Sequence, residues 1–121
     1  MRRFLPAILT ILALCEAAPA AEPEVPEFKA IAQQTKSARE AWEGCMAAYA
    51  KGRIGASKVP AAEIAEKALA ACTARERRVR DALASHIGAQ RADNVIAALR
   101  EMHKTNLAAA IEQIRRKRET E

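Results

Sequence analysis

The cysteines have the widest choice of chemistry in this chain. Cys45 lies in "AWEGCMAAYA", three residues after Trp42 and four before Tyr49, and Cys72 closes the stretch "ALAAC". A third, Cys15, falls in an apolar N-terminal run. A cysteine pair can bind metal, run redox chemistry or cross-link. A redox enzyme would normally space its thiols as Cys-x-x-Cys, whereas these lie 27 residues apart. A zinc site would need His86 and His103, but one ends a helical segment and the other sits midway along the next. The spacing instead puts Cys45 and Cys72 on the inner faces of adjacent antiparallel helices, at heights within about one turn. A disulfide is the expectation. Trp42 should pack over it, with Tyr49 as a second core aromatic. No metal and no cofactor is expected.

The other reactive side chains fail for want of partners. His103 falls on an apolar face and reads as a buried, locally hydrogen-bonded histidine. A haem ligand pairing with Met46 or Met102 is the sharper alternative. It lacks a Cys-x-x-Cys-His, and Met46 is expected about two turns from His103 in height. Glu76 interrupts an apolar stripe and should pair with an arginine of the last helix, Arg91 or Arg100. Ser37 and Ser57 have no base at catalytic spacing, and no glycine-rich phosphate loop is present. The chain is not expected to be an enzyme.

Two basic runs stand out, "RERRVR" (Arg75, Arg77, Arg78, Arg80) and "RRKR" (Arg115, Arg116, Lys117, Arg118). Between Arg75 and Arg118 there are 11 basic and 5 acidic residues. An antiparallel arrangement separates the two runs by roughly 25 to 30 Å, and no aromatics interleave them for base stacking. Nucleic acid is therefore excluded as a partner. Solvated faces are the plain reading. An anionic membrane surface, or a protein or other envelope partner bearing negative charge, is the functional one.

The beginning of the sequence bears on compartment. "MRRFLPAILTILALCEAAPA" has a basic start, an apolar core too short for a permanent span, and small residues at Ala18 and Ala20. Residues 1–20 read as a signal peptide cleaved before Ala21, which discards Cys15. The expected location is the bacterial periplasm, with secretion as the alternative. Loss of Arg2, Arg3 and Glu16 lowers the formal charge from +5 to +4, leaving 18 basic and 14 acidic residues among 101.

Alanine supplies 25 of those 101 residues, and the mature aromatics are Phe28, Trp42 and Tyr49. Alanine favours helix but buries little, so long helices around a thin core are expected, needing a staple. Residues 21–26 form an extended linker and residues 27–118 a single all-α domain, with 119–121 as a tail. The inner stripe of the first helix reads Phe28, Ile31, Thr35, Ala38, Trp42, Cys45 and Tyr49. "KGRIGASKVP" is a loop. A second helix runs from about Pro60 to His86, capped by Gly88, and a third from about Gln90 to Arg118. The third helix presents Ile96, Leu99, His103, Leu107, Ile111 and Ile114 inward. The result is a three-helix up-down-up bundle clipped by one disulfide; a long helical hairpin that forms a homodimer is the alternative.

"AWEGC" followed by "ALAAC" in a small exported Ala/Arg-rich chain resembles a loose group of uncharacterised bacterial periplasmic helical proteins. The likeness covers about residues 38 to 80 and implies no activity. The sequence thus points to a non-enzymatic binding or stress-protective protein, or else a small-ligand carrier with a pocket between helices.

Overall fold

The computed structural model describes residues 26–55 and 58–121. The expected signal peptide, its cleavage site, residues 21–25 of the expected linker, and Ser57 lie outside the described residues. Four helices follow in order: α1 (Pro26–Lys51), α2 (Ala61–Ala71), α3 (Thr73–Ile87) and α4 (Ala89–Glu119). Pro26 opens α1, since its missing N–H is one the first turn does not use. Gly88 ends α3 with φ 86°, a left-handed conformation that glycine adopts without a Cβ clash. The chain is all-helical through the described residues outside the loop and turns.

The expected second helix comes out as two, interrupted at Cys72. This residue has φ −103° and ψ 22°, off the α-helical basin, and its N–H is shared between Ala68 O at 3.1 Å and Leu69 O at 3.3 Å. Beside it, the Thr73 hydroxyl donates to Ala70 O at 2.8 Å, a back-bond that competes with regular helix. No proline or glycine marks the position. The interruption falls on the residue that the cross-link ties to α1, which periodicity alone does not register.

Both α1 and α4 pack on α2 and α3, and meet each other far less. Ion pairs show the course of α4: Glu66, Glu76 and Arg80 meet Lys104, Arg100 and Asp93 respectively. Partners that descend in α4 as they ascend in α2 and α3 make the pairing antiparallel. Trp42 beside His103 and Ile54 beside Arg115 place α1 and α4 side by side in the same direction.

One buried cluster gathers Trp42, Met46, Ala68, Cys72, Val79, Leu83, Ala92 and Ile96. A second holds Ala50, Ile54, Ala61, Ile64 and Ile111, and Leu107 packs against both. The α1 stripe is therefore wider than the spacing suggests. Thr35, Trp42, Met46 and Ala50 are buried, while Ala38, Cys45 and Tyr49 are half-buried. A helix facing two neighbours buries a broader arc than one facing a single partner. Two expected core residues are corrected. Phe28 is 72% exposed and Ile114 39%, because each sits where the packed length of the bundle runs out.

The α1–α2 loop is held by α4. Arg115 donates from Nε to Ile54 O at 3.3 Å and from a terminal nitrogen to Val59 O at 2.7 Å. Arg115→Ala should free the loop with a modest loss of stability, on the order of 1 to 2 kcal/mol for two hydrogen bonds from a charged donor. Hydrogen exchange should rise at Arg53–Gly55 and Val59 before the rest of the molecule. Unchanged exchange there would show that Arg115 is not what holds the loop.

Candidate functional site

Cys45 and Cys72 are joined by a disulfide with Cα atoms 6.0 Å apart. Cys72 is buried and Cys45 half-buried, and both belong to or pack against the same core cluster. Trp42 is fully buried in the same cluster as Cys72. Its indole Nε1 has no hydrogen-bond partner among the described residues. Tyr49 serves two roles, packing partly against the core and carrying the Arg53 guanidinium 3.6 Å over its ring. Arg53 also donates to Tyr49 O at 2.9 Å.

His103 is half-buried and sets its ring edge-to-face on Trp42, centroids 4.7 Å apart and planes at 81°. It lines a hollow of about 230 Å³ between α1 and α4 with Met46, Ala47, Asn106, Leu107, Glu43 and Ala110. The expected height difference of two turns between Met46 and His103 is thus wrong. With Trp42 level with His103, Met46 lies only one turn on. Met46 is 3% exposed and belongs to the apolar cluster, so packing accounts for it. Ser85, beside His86, is a serine the spacing argument passes over. Its hydroxyl donates to Ala82 O at 2.7 Å, and consecutive helical residues diverge by about 100°, so the two make no nucleophile–base pair. Among the described residues no group of three or more His, Cys, Asp or Glu is placed to hold a metal ion.

The seam between α4 and α2–α3 is a ladder of opposite charges. Glu76, a buried residue, accepts from Nε of Arg100, one of the two arginines expected for it. Lys104 meets Glu66 at 2.7 Å, and Arg80 bridges Asp93 at 2.9 Å and Asp81 at 3.3 Å. The hydrogen bond from Lys104, helped by its charge, holds the Glu66 carboxyl below the ordinary range. Glu66 in return raises Lys104, Glu76 raises Arg100, and Asp93 followed by Asp81 raises Arg80. A carboxyl lowered on folding adds stability above its unfolded value and loses it as pH falls through its folded value. For exposed Glu66, solvent screening keeps that contribution small.

This ladder sorts the basic runs. Arg80 is spent on Asp93 and Asp81, and Arg115 on the loop. A side chain at Gly55 would come within 3.0 Å of the Arg118 guanidinium, so that residue also lies against the loop. Arg75, Arg77 and Arg78 are exposed and have no carboxylate partner among the described residues, and the same holds for Arg116 and Lys117. The candidates that sequence groups together therefore divide into structural and available cations. Arg115 carries no sequence signal for its role, because its acceptors are carbonyls of a loop 56 and 61 residues earlier.

No protein-family model matches the chain, and no curated protein or solved structure matches it either. Its function rests on its own residues. Among those described, no helix is long and apolar enough to cross a membrane.

Proposed function

We propose that this chain is an exported, non-enzymatic interaction or stress-protective protein of the periplasm, a disulfide-clipped up-down-up bundle that works through its helical surface. The observation that carries the reading is the outer face of α3, where Arg75, Arg77 and Arg78 stand exposed and without carboxylate partners among the described residues while neighbouring cations are neutralised. The cross-link supports the compartment, since disulfides persist where thiols are oxidised. Ser85 and His86 are adjacent in sequence but diverge on α3 and make no nucleophile–base pair, which supports a role other than catalysis. A small-ligand carrier is the second reading, with the α1–α4 hollow as its support. At about 230 Å³ that hollow falls below the roughly 300 to 1,000 Å³ usual for ligand pockets.

The test is co-purification of the tagged, disulfide-intact protein from periplasmic extract, with bound species and the mature N-terminus identified by mass spectrometry. A specific polypeptide on a chain beginning at Ala21 is the expected result. An absorbing cofactor with no polypeptide would overturn the interaction reading, and residues 1–20 still attached would overturn the processing.

A further inference from the structure

Counting from the Cys45–Cys72 bond sets the heights on α1 and α3. Arg75 and Arg78 follow Cys72 by three and six residues, while Ala41, Gly44 and Ala48 bracket Cys45. With about 100° between successive helical residues, these positions fall on the two walls of one seam, on the side away from α4. Arg77 stands across α3 from Arg75, at the edge towards Arg80 and Arg100.

We propose that this α1–α3 seam docks an acidic helical segment of another polypeptide, with Arg75 and Arg78 pairing its carboxylates. The inference rests on the interaction-protein reading and names its partner class. Three features converge. The guanidiniums are exposed and have no carboxylate partner among the described residues, in contrast to Arg80 and Arg100. The α1 wall is built of small residues, so a helix backbone can approach closely enough for short charge-assisted hydrogen bonds. Gly44 stands mid-helix, where glycine weakens α1, yet a Cβ built there meets nothing within 4 Å. Packing within the chain does not require that glycine, and its missing side chain leaves room for a helix approaching from outside.

The same face argues against a bilayer as the occupant. The exposed large apolar residues Phe28, Val95, Met102 and Ile114 lie on the first turn of α1 or on α4, and none of them on α3. Surface helices that hold to membranes combine cations with an inserted apolar side. Here the cations stand without one.

The test uses the mature, disulfide-intact chain and two probes. One is a labelled Ala/Glu helical peptide with glutamates every three or four residues, the other phosphatidylglycerol vesicles. Arg75→Gln/Arg77→Gln/Arg78→Gln should weaken peptide binding about tenfold or more, as loss of paired interface charges does. The charge-matched Arg91→Gln/Arg116→Gln/Lys117→Gln variant should lose less than about threefold, the share due to overall charge. Gly44→Leu, which fills open space, should weaken the peptide like the first variant without lowering the melting temperature. Equal loss in both triple variants, no effect of Gly44→Leu, or vesicle binding through the triplet that the peptide cannot displace would each overturn the proposal. In periplasmic extract, a partner captured equally by the parent and the α3 triple variant would overturn this site alone. Capture of no polypeptide by the parent would remove the broader reading.

Discussion

Cys45→Ala/Cys72→Ala is expected to melt roughly 10 °C or more below the parent while keeping most of its helical circular-dichroism signal. The bond closes a loop of about 28 residues, which in the chain-entropy model contributes on the order of 3 to 4 kcal/mol by restricting the unfolded chain. A domain of this size holds roughly 5 to 15 kcal/mol in total, so the cross-link supplies a large share. The helices themselves rest on alanine-rich sequence and on packing that the double variant largely keeps. Trp42 shares a buried cluster with Cys72, so its emission should change when the bond is reduced. Two free thiols in denatured protein isolated with thiols blocked at lysis, or a double variant melting with the parent, would show that the bond is not a structural clip.

Trp42→Ala should be the most damaging single substitution, costing about 3 to 5 kcal/mol. The ring is fully buried, is the largest side chain in its cluster, and carries the edge-to-face contact with His103. Its buried neighbours Met46, Cys72, Val79, Leu83 and Ile96 are all much smaller than an indole, so none of them fills the space alone. Trp42→Phe separates two effects. It keeps most of the apolar contact and removes the indole N–H, which is buried without an acceptor among the described residues. An unpaired buried donor carries a desolvation penalty of about 1 to 3 kcal/mol, so phenylalanine should recover well over half the loss. Urea melts of the three proteins decide this. A phenylalanine variant as unstable as the alanine one would mean that the indole N–H finds an acceptor after all.

Much of this organisation was legible from local chemistry. Alanine-rich segments with apolar residues every three or four positions specify helix, Gly88 specifies a stop, and Gly52, Gly55 and Pro60 specify a loop. Each signal acts within a turn or two of chain. Cys45 and Cys72 were legible as a pair because antiparallel helices joined by a short loop convert sequence distance into height. That Glu76 pairs with an arginine of the last helix was legible too, as a lone carboxylate in an apolar stripe calls for a cation from the facing helix; the choice of Arg100 over Arg91 came from the packing.

What the tertiary structure decided is which side of each helix meets which neighbour. Met46 and Ala50 are buried because α1 serves two contact surfaces, and Phe28 is exposed because the packed bundle ends at its level. Cys72 interrupts the helix where the cross-link holds it, although Ala70, Ala71 and Ala74 around it favour helix. The basic runs show the division most clearly. In sequence, Arg75, Arg77, Arg78 and Arg80 are equivalent, as are Arg115 to Arg118. Carboxylates and carbonyls from distant segments reach Arg80 and Arg115, while Arg75, Arg77 and Arg78 face outward. Charge type is local and is written residue by residue, but neutralisation depends on distance in space, which only the packed helices set.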